Sequence, residues 1–595
     1  MKQRGQLAAP VASSQWRWHL TALALAAGGL AVAGVLISLS DGFYHDDDLT
    51  HYNFARAGWH SAGSLLYRWA RPGYNVPAAV VAHWGGLLGC RIFSALQTAA
   101  VGFLAYLIAR RIGVPPAAAA MAPALVWLQP LTMTLACTTL TETPAALYLS
   151  LGVWLYLRGN RVWGCAAVSA TFITREETLV LAPVIVAAVA LDALRQADWH
   201  LGRAMRTGWA WACAAALVWA PLAYAAAAVA VGLEGEGSPL NILTNRYTAE
   251  YGTGDWLHYL PRWMLAFGAG VIALAVAGTI HLRKRAWMVW ALALGLVVAH
   301  TVIYRYGLFA SGGYGRFLIP VSGLTAALAA GGLAATAGRK NTYLPAESVF
   351  LVLAAAVIIV QRYAPVPVLP TGAQILGVLL AGAAGVTALA SGQRLRRVLR
   401  LAAAGTAAVF IVTQAGAFVR PLTIAASPHH TVVADCIRRL DRTRHASRCV
   451  LTTHLLVPYL RDNAELVEDP GDGMRRWLAA RPGTLFLWSN KYGGWPTDEH
   501  PVSPLYTALE EHGRLVTWSD NFRGDWAGVF VRVPDELPAM TAPSTQSERL
   551  DSIGPSSRRD RADRHRPKTL RSSAREVSPA RAFSTAASSS DLPPA

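Results

Sequence analysis

Apolar runs of about twenty residues recur along most of this chain, and short charged breaks end each of them. The first, from Leu20 to about Leu39, is long enough to cross the roughly 30 Å hydrocarbon core of a bilayer as a helix. Lys2, Arg4, Arg17 and His19 precede it, and Ala31-Val32-Ala33, which could pass for a cleavage site, falls inside the run. It reads as an uncleaved anchor with a cytoplasmic N-terminus. Composition fits: of 595 residues 53% are hydrophobic and only 15% charged, with mean hydropathy +0.32. A soluble protein carries nearer a quarter charged residues, so the apolar surplus faces lipid. The net charge of +18 divides between loop arginines and the last sixty or so residues, which excludes a folded nucleic-acid-binding face.

The breaks alternate in character. Arg110-Arg111, Arg158 with Arg161, the stretch 195–206, Arg283-Lys284-Arg285, Arg339-Lys340 and Arg394 to Arg400 are basic. Between them lie 41–73, 132–143, 175–177, 234–262, 304–316 and 362–370. Assigning the basic set to the cytoplasm satisfies the positive-inside rule at every turn and gives about thirteen spans, a polytopic, mainly α bundle over 1–420. The other set then shares the outer face.

Residues 41–73 concentrate chemistry. Asp46, Asp47 and Asp48 stand where a membrane helix should emerge into water, and His51, Tyr52, Arg56 and Trp59 follow at near-helical spacing. Crowded interfacial carboxylates repel one another and call for a cation, a proton or a basic group. Glu142 in TLTETPAAL, Arg175-Glu176-Glu177 and Tyr314-Gly315-Arg316 interrupt apolar contexts on the same assigned face. Charges at membrane depth are costly and mark functional cavities. The blander reading of each is a solvated loop or a helix-end charge that sets topology; their common face favours one outward pocket, with acids to activate a hydroxyl and arginines to hold phosphate.

These residues resemble the GT-C superfamily of integral-membrane glycosyltransferases, in the branch of the protein O-mannosyltransferases and the lipid A aminoarabinose transferase. The likeness rests on an acidic pair after the first span with an aromatic and an Arg beyond it (HDDDLTHYNFAR), and on Arg71-Pro72 where the family usually has Lys-Pro. It rests also on Leu140-Thr141-Glu142-Thr143-Pro144 with Arg175-Glu176 further on, and on Arg316-Phe317-Leu318-Ile319-Pro320. It covers roughly residues 15–420. It implies sugar transfer, with anomeric inversion, from a polyprenyl-phosphate donor to a glycan, lipid or protein acceptor on the extracytoplasmic face of a bacterial-type inner membrane. One of Asp46, Asp47 and Asp48 would be the general base; Asp47 is common to both registers of the acidic pair, and like-charged neighbours would raise its pKa. Arg71, Arg175 and Arg316 would hold the donor phosphate, with Glu142, His51 and Tyr314 also binding substrate. A divalent cation (Mg²⁺, Mn²⁺ or Ca²⁺) on Asp47 and Glu142 is compatible with oxygen ligands. A transporter or flippase of lipid-linked sugars is the other class considered; it would show internal repeats, and none is clear here.

Residues 234–262 form the longest outer connection and suggest a lid. From 421 to 538, period-2 stretches (449–453, 484–488, 526–533) alternate with amphipathic ones (432–440, 474–480, 505–512), predicting a small extracytoplasmic α/β domain that shapes acceptor access. Cys436 and Cys449 fit a disulfide or two thiols equally. The stretch 539–595, rich in Ser, Arg, Pro and Ala, predicts disorder.

Overall fold

The computed structural model describes residues 9–67, 69–233, 253–308, 312–337, 393–424, 427–467, 470–492, 503–521 and 525–534, with isolated positions between 349 and 355. The proposed lid (234–252 of it), most of the segment 343–392 and the C-terminal tail lie outside these residues. The chain divides between Ala426 and Ser427 into two units.

The first unit is built of helices. In order, α1 spans Ala9–Leu39, α2 Asp46–Gly58, α3 Pro72–Arg111, α4 Glu142–Arg158, α5 Arg161–Phe172, α6 Ala182–Gln196 and α7 Gly208–Ala230. Then come α8 Tyr259–Phe267, α9 Ala269–Leu282, α10 Trp287–Arg305, α11 Ser322–Ala337 and α12 Gln393–Phe418. Among the described residues six helical stretches are long and apolar enough to cross a membrane, or up to eight if each of two bent pairs is one crossing. The protein is a multi-pass membrane protein.

Local chemistry sets the boundaries. Pro72 sits at the first position of α3, where its missing N–H costs nothing. Gly159 ends α4 in a left-handed conformation (φ 101°), its N–H returning to the carbonyls of Leu155 and Tyr156 at the helix end. The 40-residue α3 breaks at Gly86 (φ 57°, ψ −153°) and so divides into two rods. Gly268 (φ 81°, ψ 132°) turns α8 into α9 through 100°, a backbone that a side chain rarely tolerates. Small residues let α9 and α11 pack face to face: a Cβ on Gly278 would run into the carbonyl oxygen of Leu328, and one on Gly332 into that of Leu274. Around this seam Leu292, Leu296, Leu318, Leu324 and Phe410 are fully buried.

Residues 41–73, read from sequence as a loop with helical spacing, contain α2. All three aspartates fall in its first turn, where the helix dipole favours negative charge. His45 caps the helix, its Nδ1 accepting the Asp47 N–H at 3.2 Å.

The second unit holds a five-stranded mixed sheet of order β2-β1-β3-β5-β4. Strands β1 (Val450–Thr452), β2 (Ala464–Leu466) and β3 (Leu485–Ser489) are parallel, and β4 (Gly513–Asp520) and β5 (Trp526–Arg532) complete it antiparallel. Helices α13 (Pro428–Leu440), α14 (Pro470–Leu478) and α15 (Pro504–His512) each open on proline. The core gathers Trp477, Phe486, Trp488, Leu505, Leu509 and Phe530. Sequence reasoning missed β2 and β4, and β3 is buried at all five positions rather than alternating. Cys436 and Cys449 are not joined in a disulfide; the first is buried and the second exposed.

Candidate active site

Five helical starts meet at one place: those of α2, α3 and α4, the 3-10 turn Glu176–Leu181 that leads into α6, and the 3-10 turn Gly315–Val321 that leads into α11. Each start presents unpaired N–H groups and a partial positive charge. Most also carry the charged residues singled out above. Counted from the turn at 158–161, α4 places Glu142 about 24 Å away along its axis at 1.5 Å per residue, which is close to the full depth of the hydrocarbon layer.

The charges interlock. Asp47 is ion-paired through Oδ2 with Arg316, whose Nε lies 3.5 Å from Glu142 Oε1. Glu142 is shared, because Arg175 approaches the same oxygen at 3.2 Å and also pairs with Glu177. Alongside, Arg71 pairs with Glu176. Glu142 is fully buried, and the side chains of Arg316 and Arg175 are 3% and 5% exposed, whereas that of Asp47 is 44% exposed. Asp47 is therefore the accessible end of a buried series of ion pairs. Phe317 braces the series from one side, with the Arg175 guanidinium 4.6 Å from its ring centre and that of Arg316 5.4 Å. Tyr314, nearly buried, lies 5.1 Å from the Arg316 guanidinium and edge-on to His45 at 5.3 Å.

The three aspartates part company. Asp46 begins α2, partly exposed, its carbonyl accepting the Thr50 hydroxyl at 3.1 Å. Asp48 is fully buried and accepts the Thr139 N–H at 2.7 Å, the Thr139 hydroxyl and the Tyr44 N–H at 3.2 Å. It ties α2 to the segment before α4. Burial pushes its carboxyl up, against the pull of Arg91 and Thr139. For Asp47 desolvation also raises the pKa, but Arg316, with His45 and His51 behind it, outweighs that and holds the carboxyl well below the usual carboxylate range. The sequence-based expectation ran the other way, because it gave Asp47 aspartate neighbours; folding gives it a guanidinium and two imidazoles. His51 is buried with its ring near Tyr74, and desolvation, aided by Arg71, Arg175 and Arg316, brings it down to about 3, so it is neutral.

A divalent cation on Asp47 and Glu142 does not suit this arrangement. Arg316 lies between the two carboxylates and supplies the positive charge a metal would bring, and no group of three His, Cys, Asp or Glu suited to a metal occurs among the described residues.

Arg71 has a left-handed backbone (φ 56°, ψ 74°), unusual for a non-glycine and here immediately before proline. The conformation aims its carbonyl at the N–H groups of Tyr74 and Asn75, 2.9 and 3.0 Å away. Sequence reasoning missed the pairing of Glu176 and Glu177 with arginines. It also missed Arg91, buried within α3, whose guanidinium donates to the carbonyls of Ser40 (3.2 Å) and Gly42 and fixes the exit of α1. A lone arginine amid an apolar helix was the available signal.

Residues 43–192, which include every member of the series except Arg316, match the family described as dolichyl-phosphate-mannose-protein mannosyltransferase. The fold is similar to that of ArnT from Cupriavidus metallidurans bound to undecaprenyl phosphate, with TM-score 0.52, 15% identity, and 87% of this chain and 98% of that one covered. The apo state of the same protein gives TM-score 0.51 at 15% identity, with the same shares covered. The arabinosyltransferase EmbB from Mycobacterium smegmatis aligns over 70% of this chain and 42% of its own at TM-score 0.41 and 15% identity. No curated protein sequence matches the chain. The family match thus covers 150 of the 595 residues, and the likeness of fold extends over 87% of the chain.

Proposed function

We propose that the protein transfers a sugar from a polyprenyl-phosphate donor to an acceptor hydroxyl (of a glycan, lipid or protein) on the extracytoplasmic face, with inversion. The observation that carries this is the half-exposed Asp47 carboxylate held by a buried arginine. The undecaprenyl phosphate bound to the ArnT relative supports a lipid-phosphate donor. A flipped lipid-linked sugar also reaches an outward site that a cytoplasmic nucleotide sugar cannot.

The acceptor oxygen attacks the anomeric carbon, the bond from that carbon to the phosphate oxygen breaks, and Asp47 takes the hydroxyl proton. Arg316, with Arg175 and Arg71 near it and the helical starts around them, stabilises charge developing on the departing polyprenyl phosphate. A carboxylate held well below its ordinary pKa is a weak base. Donor phosphate competing for Arg316 weakens the Asp47 pair and raises the basicity of Asp47 when it is needed. In this reading His51 and Tyr314 also bind substrate, and Glu142 fixes both arginines. No step needs a metal. In this reading about thirteen spans carry a cytoplasmic N-terminus and an extracytoplasmic α/β domain.

The test is release of polyprenyl phosphate by membranes given polyprenyl-phosphate sugars. Asp47→Asn should lower turnover by at least about 10²-fold, the low end of what a positioned base contributes, with expression unchanged. Full turnover in this variant would remove Asp47 as base.

A further inference from the structure

The opposite end of α4 has a site of its own. There a cavity of about 250 Å³ opens where α4 ends, α5 begins, α6 ends and α10 begins, with Arg158, Arg161, Arg285, Asp192, Tyr156 and Trp287 on its walls. Asp192 is already engaged, with Arg161 Nε and the Tyr156 hydroxyl each 3.1 Å from its Oδ2 and Arg195 at 3.9 Å. Among the described residues no carboxylate forms an ion pair with Arg158 or Arg285. The cavity thus has two guanidiniums with no carboxylate counter-charge.

We propose that this cavity binds the phosphate of an anionic lipid headgroup. Guanidinium forks match phosphate oxygens in charge and geometry. The volume falls below the roughly 300–1,000 Å³ typical of sites for drug-sized ligands, so it admits a headgroup and not a nucleotide. Inorganic phosphate has the same recognising chemistry, but the surroundings favour the lipid. Candidate spans end at Gln196 and begin at Trp287 beside the cavity. Trp209 lies 4.7 Å from the Arg161 guanidinium, and Trp163 is 72% exposed. Tryptophans gather at the membrane–water interface, which sets the mouth at headgroup depth, and basic pockets between spans bind anionic headgroups. The site is independent of the transfer chemistry, because none of its residues touches the series at Asp47.

Thermal unfolding of the full-length protein in neutral detergent tests this, with titrations of phosphatidylglycerol, phosphatidylcholine and inorganic phosphate. Phosphatidylglycerol should raise the midpoint saturably, and the other two should not. The double variant R158Q/R285Q should keep the lipid-free midpoint and need about tenfold or more phosphatidylglycerol for the same shift, as loss of one charge-assisted contact predicts. Should the double variant fail to fold, R285Q alone, in an exposed connection, carries the same expectation. An undiminished shift in the variant overturns the proposal, as does no shift with phosphatidylglycerol or an equal one with phosphatidylcholine. A shift reproduced by inorganic phosphate alone overturns the lipid assignment.

Discussion

Asp47 turns its carboxylate to Arg316 with 44% of its side chain exposed, while Asp48, one residue on, is buried beneath Thr139. Replacing Asp48 by alanine leaves the Thr139 and Tyr44 N–H groups without their acceptor, at about 1–3 kcal/mol for each buried group. D48A should therefore lose several degrees in melting temperature yet keep most turnover per folded molecule, the reverse of D47N. A stable but inactive D48A would move the base to Asp48. His51 sets a pH dependence whose sign can be worked out. Its folded pKa of about 3 lies below the ordinary value near 6.5, so the unfolded chain binds more protons between these limits and stability falls as pH drops through that window. The slope attributable to His51 approaches about 1.4 kcal/mol per pH unit near pH 5. Melts of wild type and His51→Gln between pH 7 and about 5 should converge on the acid side; parallel curves would mean that His51 is not buried and neutral.

At the scale of elements, the seam between α9 and α11 depends on Gly278 and Gly332, where backbone meets backbone. Gly332→Leu cannot be absorbed by moving a side chain, because the obstacle is the Leu274 carbonyl. The variant should fold poorly or lose about 1–3 kcal/mol of stability, the range of overpacked cores; an unchanged melting profile would mean the helices stand further apart. What was legible in the sequence follows the same division between local and tertiary causes. Apolar runs, proline starts and the Gly159 end are local, so they show in the letters. The acidic α2 start, Glu142, Arg175 and Arg316 drew notice because charge amid apolar residues is costly wherever it sits. Which charge meets which depended on helices far apart in sequence, so the Arg71–Glu176 and Arg175–Glu177 pairs and the fate of Asp48 could not be read in advance. Strands β2 and β4 escaped for a related reason: β2 has three residues, and β4 owes its place to pairing with β5.

Across the whole molecule, two charged regions stand at the two ends of α4, interlocked acids and arginines at one end and a basic cavity at the other. In formal charge, Asp47, Glu142, Glu176 and Glu177 outnumber Arg71, Arg175 and Arg316 by one. On the proposed function, a phosphodiester donor arriving there brings a second uncompensated negative charge into surroundings where charge is poorly screened. The cheapest remedy is a hydrogen ion drawn from solvent onto Glu176 as Arg71 turns to the phosphate, which leaves Asp47 ionised for its role as base. Donor capture should then be tighter at lower pH, and calorimetry in buffers of differing ionisation heat should register net uptake of up to one proton per lipid bound, against none if the arginines alone absorb the charge. The resting surplus of one negative charge would make the enzyme's grip on its donor answer to the acidity outside the membrane.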